Sequence, residues 1–265
     1  MKVVLFCGGL GLRIRESDES LPKPMTQIGP RPILWHLMKY YAHFGVTDFV
    51  LCLGHRADAI KHYFLNYDES ASNDFILTRG GASVEMLSTD IADWRITFVD
   101  TGVSANIGQR LCAARQHLQG EEVFLANYAD GLSDLHLPSY VERSARSGKA
   151  ATFLCVKPNL SLHAVSLDKD GRVRRFAAIS ETDLRINGGF FVFRQDIFDY
   201  IKPGEELVEE PFERLISANQ LVAHSYDGFF SAMDTFKDKQ KLEELYLSGR
   251  APWQVWRNNR EGAGG

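Results

Sequence analysis

The stretch KVVLFCGGLGLRIRESDESLPKPM, residues 2–25, decides the fold and raises the first question about function. It begins with an apolar run that ends at Gly8 and Gly9, which is typical of a strand buried on both faces that enters a loop. Gly8, Gly9 and Gly11 permit backbone conformations in which several N–H groups converge on an anion, and Arg13 adds a fixed charge. A tight strand-to-helix turn is the alternative for this segment alone.

The PKPM segment, residues 22–25, places a second cation near the glycines. Its two prolines hold Lys23 in an extended, rigid segment, so its charge has a defined place. A nucleotide triphosphate needs charge neutralisation from more than one direction when its α-phosphate is attacked. Arg13 and Lys23 could provide that from the two ends of one loop, whereas a solvated surface lysine is the alternative.

The rest of the chain alternates strands and helices, which predicts an α/β fold with a mainly parallel sheet. Strands are predicted at residues 2–7, 48–54, 95–100, 121–131, 150–156, 186–193 and 221–226. Helices are predicted after Pro32 and at 57–67, 107–118, 138–147, 195–201, 209–218 and 235–249. Residues 68–93 are predicted to be a loop or an excursion over the sheet, and two short strands within 164–176 form a small β excursion. We therefore expect a single domain over residues 1–256, followed by a flexible tail, 257–265.

Composition excludes several functional classes. The chain has 265 residues and a net charge of −4, so it has no overall basic field for binding nucleic acid. No apolar run approaches the roughly 20 residues of a membrane span, and the first residues do not form a signal peptide. The four cysteines form no Cys-x-x-Cys pair, which favours reduced thiols and a cytoplasmic location.

Two aspartates are candidates for binding a metal. Asp130 ends an apolar strand, so it is expected at the carboxyl edge of the sheet, where open α/β folds bind ligands. Mg²⁺ typically takes one or two carboxylates together with phosphate oxygens and water. Asp234, in the MDT segment, offers the second carboxylate, whereas an Asp-Gly turn is the alternative for Asp130 alone.

The order of these motifs resembles the sugar-phosphate nucleotidyltransferases, and within them the glucose-1-phosphate cytidylyltransferases. The resemblance rests on GGLGxR, PKPM, a strand ending in Asp-Gly, INGGFFVF and MDT, and it covers residues 2–256. It implies a Rossmann-like domain that uses Mg²⁺ and moves CMP from CTP to a small phosphorylated acceptor, with release of pyrophosphate. Such an enzyme is expected to be a homo-oligomer.

The resemblance also implies roles for individual residues. Arg13 and Lys23 would be catalytic, and Asp130 and Asp234 would share the metal. The nucleotide-binding residues would be Gly8, Gly9, Gly11, Arg13, Lys23 and Arg110. The acceptor-binding residues would be Arg185, Asn187 and Gly188.

The acceptor side departs from the family pattern. The family carries a Glu-Lys-Pro motif before the INGG strand, and the lysine of this motif contacts the sugar phosphate. In this chain the position of that lysine falls on Ala178 or Ile179. Where the cytidylyltransferases carry Arg-Phe-Gly, this chain has residues 161–163, Ser-Leu-His. We therefore expect an acceptor other than plain glucose 1-phosphate, with Arg174, Arg175 or Arg185 as replacement cations.

Smaller departures leave the predicted metal aspartate in place. Leu12 replaces the threonine of the usual GGLGTR loop, and Ala129 replaces the first glycine of the usual Gly-Asp-Gly.

Three alternative functions make different demands on the sequence. A true glucose-1-phosphate cytidylyltransferase would make CDP-glucose. A non-catalytic nucleotide-binding regulator on the same fold has little need of two metal carboxylates. A dinucleotide-binding oxidoreductase would need GxGxxG and an acidic residue closing the second strand, where this chain has Leu53-Gly54-His55.

Overall fold

A computed structural model of the chain describes residues 1–9, 21–159 and 162–257. Its first half contains β1 (Lys2–Phe6), β2 (Gln27–Ile28), β3 (Arg31–Pro32), α1 (Ile33–His43), β4 (Asp48–Leu53), α2 (Ala57–Leu65), β5 (Phe75–Thr78), β6 (Ser83–Met86), β7 (Arg95–Asp100), α3 (Ile107–Ala114), β8 (Val123–Tyr128) and β9 (Gly131–Ser133). The second half contains α4 (Leu137–Ser147), β10 (Ala151–Val156), β11 (His163–Leu167), β12 (Val173–Ala178), β13 (Ile186–Asn187), β14 (Phe191–Arg194), α5 (Glu210–Ser217), β15 (Leu221–Tyr226), β16 (Phe230–Ala232) and α6 (Phe236–Leu247).

The central sheet has eight strands and is mixed, as predicted. Parallel pairs join β7 to β4, β4 to β1, β1 to β8, and β10 to β15. β14 is antiparallel to both β8 and β10, so β10 runs in the same direction as β8. The carboxyl ends of β4, β1, β8, β10 and β15 therefore meet at one edge of the sheet.

The alternation of side chains along β1 explains why its whole apolar run is buried. Val3 and Leu5 belong to the hydrophobic core on one face of the sheet, and Val4 and Phe6 belong to the core on the other. Successive side chains of a strand point to opposite faces, so a strand covered on both sides has no polar face to show. Helices cover both faces, which confirms the predicted Rossmann-like arrangement.

Several local predictions were confirmed and others were wrong. The segment at 68–93 is not simply a loop, because β5 and β6 form an antiparallel hairpin within it. The helix predicted at 107–118 is α-helical only to Ala114 and continues as a 3-10 helix to Leu118, while the one predicted at 195–201 is a 3-10 helix, Gln195–Asp199. The β excursion in the second half is the β11–β12 hairpin.

The strand predicted at 186–193 is broken into β13 and β14. Both halves pair with β10, but Asn187 lies opposite Cys155 whereas Val192 lies opposite Thr152, so the register moves by two residues. Leu154 spans the break, accepting from the Gly188 N–H at 2.8 Å and donating to the Gly189 carbonyl at 2.9 Å. The break falls at Gly188 and Gly189, between the exposed β13 and the mostly buried β14.

No helix among the described residues is long and apolar enough to cross a membrane.

Candidate active site

The glycines at the ends of β1 and β4 leave space for a buried guanidinium. A Cβ on Gly8 would lie 2.0 Å from the Arg110 Nη1, and one on Gly54 would lie 2.8 Å from the same atom. A Cβ on Gly9 would meet no described atom within 4 Å. Gly8 is therefore required for packing, whereas Gly9 has room for a side chain as far as the described residues are concerned. Gly11 and Arg13 lie outside the described residues.

Arg110 lies beneath the glycine loop and is almost fully buried. Its guanidinium donates to the carbonyl oxygens of Gly8 and Leu53, each at 3.0 Å, and to the Thr101 Oγ1 at 2.5 Å. These bonds tie together the ends of β1, β4 and β7. The structure therefore places Arg110 next to the predicted nucleotide loop, with its donors directed at the protein.

Lys23 and the two aspartates predicted to bind metal come together at the same edge. The Lys23 Nζ forms an ion pair with the Asp130 Oδ2 and another, at 2.7 Å, with the Asp234 Oδ1. Burial favours the neutral amine, but the charges and hydrogen bonds of both carboxylates outweigh it and raise the pKa of Lys23. The ammonium is thus the cation that balances this carboxylate pair.

A short two-stranded ribbon brings the aspartates together across 104 residues of sequence. Asp130 lies in the turn between β8 and β9, and Asp234 lies two residues after the end of β16. β9 and β16 are antiparallel with Gly131 opposite Ala232, and the Met233 N–H donates to the Asp130 carbonyl at 3.0 Å. After Asp234, a capping box between Thr235 and Asp238 starts α6.

The backbone of the PKPM segment is fixed by a short 3-10 turn. The Met25 N–H donates to the Pro22 carbonyl and the Thr26 N–H to the Lys23 carbonyl, while Pro24 and Met25 are buried. Lys23 therefore has an anchored backbone and a long, rotatable side chain. The prediction of an extended segment was wrong, because Lys23–Met25 forms a 3-10 turn.

The donor set suits Mg²⁺ bound together with a nucleotide. Two carboxylates that already contact one cation can hold a divalent ion, which would take its remaining ligands from phosphate and water. Among the described residues there is no group of three or more His, Cys, Asp and Glu side chains that could hold a metal. Asp130 and Asp234 could supply two ligands, as expected for Mg²⁺ that takes its other ligands from phosphate and water.

The three predicted acceptor residues lie within or next to β13, the first half of the broken strand. Arg185 donates to the Asp227 Oδ1 at 2.9 Å and to the Tyr226 carbonyl at 3.3 Å. Asn187 accepts from the Gly189 N–H at 2.9 Å and donates to the Tyr128 hydroxyl at 3.3 Å. Gly188 is buried against Leu154 and Val156, so it shapes the backbone and has no side chain to offer a ligand.

Sequence reasoning missed Asn127, which fixes this break. Asn127 is fully buried, and its Oδ1 accepts from the N–H groups of Tyr128 and Phe190, at 2.9 and 3.0 Å. Phe190 has φ 47°, a left-handed conformation that is unusual for a large side chain. Asn127 therefore holds a strained turn beside the site; the Gly-Gly pair was the only signal of it in the sequence.

A cavity of about 420 Å³ lies at the carboxyl ends of β10 and β15. Its lining residues are Val156, Lys157, Asp183, Arg185, Tyr226, Asp227, Gly228 and Phe230. The Phe230 ring lies 3.6 Å from the position of a Cβ on Gly131, the residue after Asp130. One residue of the β9–β16 ribbon therefore forms part of the cavity wall.

The cations of this cavity are only partly those that the sequence suggested. Arg185 lines it, but Arg174 and Arg175 lie on the exposed β12 strand, and Arg174 pairs with Asp168 at 2.8 Å. Lys157, which sequence reasoning missed, lines the cavity and forms no ion pair with any described residue. Its signal was the Val-Lys-Pro segment at the end of β10. Ser161, at the altered acceptor stretch, lies outside the described residues.

Comparison with known proteins gives close full-length relatives. The chain is 37% identical over 258 residues to glucose-1-phosphate cytidylyltransferase of Salmonella typhimurium, which covers 97% of this chain and 100% of the relative. It is 36% identical, with the same coverage, to the "Probable glucose-1-phosphate cytidylyltransferase" of Bacillus subtilis. No family model matches the chain.

Solved structures support the fold. A UDP-glucose pyrophosphorylase complexed with UDP-glucose superposes with a TM-score of 0.67 at 13% identity, covering 94% of this chain and 99% of that one. HddC from Yersinia pseudotuberculosis complexed with GMP-PN superposes with a TM-score of 0.64 at 19% identity, covering 92% and 99%. At these identities the likeness concerns the fold alone.

Proposed function

Since the chain belongs to the glucose-1-phosphate cytidylyltransferase family of sugar-phosphate nucleotidyltransferases and is itself a nucleotidyltransferase, we propose that it moves CMP from CTP to a small acceptor. The acceptor carries a phosphate or phosphonate, and pyrophosphate is released. The observation that carries this proposal is the convergence of Asp130, Asp234 and Lys23 at the carboxyl edge of the sheet.

In the proposed reaction, an acceptor oxygen attacks the α-phosphorus of CTP in line, and the bond to pyrophosphate breaks on the opposite side. No covalent enzyme intermediate is needed, so the chain's residues act by positioning and by charge stabilisation. Lys23 would neutralise the α-phosphate region, and Asp130 and Asp234 would hold Mg²⁺. When bound, Mg²⁺ would supply positive charge to the phosphate oxygens.

The glycine loop would hold the nucleotide. We propose that the backbone N–H groups around Gly8, Gly9 and Gly11 bind the phosphates together with Arg13. Arg110 supports this loop from beneath through Gly8. Its contribution to nucleotide binding is therefore proposed to act through the position of the loop.

For the acceptor, we propose a phosphorylated or phosphonate metabolite other than plain glucose 1-phosphate. The absent Glu-Lys-Pro and Arg-Phe-Gly motifs support this, and the cavity with Lys157 and Arg185 offers replacement cations. Glucose 1-phosphate itself, giving CDP-glucose, is the competing acceptor. It is favoured by the two relatives at 36–37% identity that bear its name.

A pyrophosphate-release assay with Mg²⁺ tests both statements. CTP should support turnover better than ATP, GTP or UTP, with at least one acceptor from a panel of sugar 1-phosphates, other phosphomonoesters and phosphonates. Turnover of glucose 1-phosphate at 1–10³ s⁻¹, about the usual enzyme range, would exclude the altered acceptor while leaving cytidylyl transfer intact. CTP binding without pyrophosphate release in the presence of any acceptor would instead indicate a regulator.

We also propose that the protein is a homo-oligomer, and its expected cytoplasmic location stays a prediction. The β11–β12 hairpin exposes several large apolar side chains, which supports an interface there: Val165, Leu167, Val173 and Phe176. Light scattering coupled to size-exclusion chromatography measures the oligomeric state, and a mass of about 30 kDa, that of one chain, would contradict the proposal.

A further inference from the structure

The carboxylate pair assigned to the metal already has a cation, and that cation belongs to the chain. The Lys23 ammonium contacts Asp130 and Asp234 together, and the Lys23 side chain is only 16% exposed. Without a cation, two neighbouring carboxylates in a partly buried site would repel each other. Lys23 therefore holds the pair in place when no metal is present.

Lys23 and a divalent ion would compete for the same space. Mg²⁺ binds carboxylate oxygens at about 2.0–2.1 Å, and Lys23 occupies the position between these oxygens at ion-pair distance. An ammonium left there would face a doubly charged ion a few ångströms away, and the two like charges would repel each other. Both cations cannot occupy this position at once.

We propose, on the basis of the metal role proposed for Asp130 and Asp234, that the Lys23 ammonium occupies the metal position while no metal is bound. An incoming metal ion displaces it. The PKPM backbone is fixed by its 3-10 turn, so displacement requires only rotation of the side chain. The displaced ammonium is then free to meet the nucleotide phosphates. Metal binding thus couples two events: it completes the metal site, and it releases the catalytic lysine.

This arrangement predicts an unusual effect of removing a catalytic residue. Lys23→Met should bind Mn²⁺, a spectroscopic substitute for Mg²⁺, at least tenfold more tightly than the unaltered protein in the absence of nucleotide. Lys23→Arg keeps a cation and should stay within about threefold of the unaltered protein. Binding is measured by electron paramagnetic resonance of free Mn²⁺ and by calorimetry.

Lys39 offers a matched control, because its Nζ pairs with the buried Asp90 at 3.0 Å, away from the carboxylate pair. Lys39→Met should leave Mn²⁺ affinity unchanged. Equal or weaker Mn²⁺ binding by a folded Lys23→Met protein would overturn the proposal. If neither the unaltered protein nor Lys23→Met binds Mn²⁺, the metal role of the aspartates fails together with it.

A second measurement uses the unaltered protein, in case Lys23→Met does not fold. Brief treatment with acetic anhydride followed by mass spectrometry reports the accessibility of each lysine amine. Adding Mg²⁺ alone should raise the modification of Lys23 at least threefold and leave Lys39 unchanged. Unchanged modification of Lys23 at a Mg²⁺ concentration that saturates the site would overturn displacement. Neither measurement requires CTP turnover, so a failure of the displacement proposal can be distinguished from a failure of the proposed reaction.

Discussion

The guanidinium of Arg110 donates a 3.0 Å hydrogen bond to the carbonyl oxygen of Gly8 and occupies the space that a side chain there would need. The guanidinium also binds Leu53 and Thr101, but the Leu53 carbonyl keeps the Thr101 N–H and hydroxyl as donors, so the main losses are the donor to the Gly8 carbonyl and the volume filled beneath the loop. A buried acceptor left without its donor costs about 1–3 kcal/mol, and the cavity adds to that cost. We expect Arg110→Ala to lower the free energy of unfolding by roughly 4 kcal/mol, measured by urea denaturation.

Arg115 provides the control for this substitution, because it is exposed at the end of the same helical segment and contacts only the Phe198 ring. Arg115→Ala should cost less than about 1 kcal/mol. If Arg110→Ala costs no more than the control but weakens CTP binding tenfold, Arg110 is a direct nucleotide ligand, as the resemblance implied, and its structural role is minor.

The sequence predicted most of the sheet because buried parallel strands are continuous apolar runs bounded by glycine or aspartate. It could not show that Asp130 and Asp234 contact one ammonium, because that depends on the pairing of two three-residue strands, β9 and β16. Such strands are too short to have a recognisable pattern. Helical spacing placed Arg110 on a helix but gave no information on how far its side chain reaches under Gly8.

The hydrogen bond between the Asn127 side chain and the Phe190 N–H should affect both stability and acceptor binding. The Asn127 side chain is fully buried and accepts from two backbone N–H groups, and its Nδ2 donates to the Tyr41 hydroxyl at 3.2 Å. Asn127→Ala removes all three bonds and the support of a left-handed residue, at a cost of roughly 3 kcal/mol. It should also raise the KM for the acceptor, because the turn positions Asn187.

The exposed Asn66 is the control for Asn127, because its Nδ2 donates only within α2 and its cap, to His62. Asn66→Ala should change the free energy of unfolding by less than about 0.5 kcal/mol. An Asn127→Ala protein that is as stable as this control, with an unchanged acceptor KM, would show that the strand break does not depend on Asn127.

His36 should make the protein sensitive to acid. Burial, with smaller contributions from the charges of Arg257 and Arg31, lowers the pKa of His36 from 6.5 to about 4. The unfolded chain therefore binds a proton below pH 6.5 that the folded chain does not take up until about pH 4, so stability falls as the pH falls through this window. The loss attributable to His36 is about 3 kcal/mol.

His36→Gln is the variant that tests this effect. The native ring bonds the Ile28 carbonyl through Nε2, at 2.9 Å, and accepts from the Trp253 Nε1, at 3.3 Å, and an amide can offer both a donor and an acceptor. Urea denaturation between pH 7 and pH 4 should show a smaller loss of stability for His36→Gln than for the unaltered protein. Parallel pH profiles for the two proteins would contradict the assignment.

Lys157 and Arg185 should determine how tightly the acceptor binds. Both line the cavity at the carboxyl ends of β10 and β15, and a charge-assisted hydrogen bond to an anionic group contributes about 1.5–3 kcal/mol. Lys157→Ala and Arg185→Ala should each raise the acceptor KM roughly tenfold or more, with the KM for CTP changed less than about twofold. Steady-state pyrophosphate release, with the acceptor that gives the highest kcat/KM in the panel, measures both constants.

Lys169 is the control for these two substitutions, because it lies in the turn of the β11–β12 hairpin and outside the cavity lining. Lys169→Ala should change neither constant. A rise in the KM for CTP with an unchanged acceptor KM would place the nucleotide, rather than the acceptor, in this cavity.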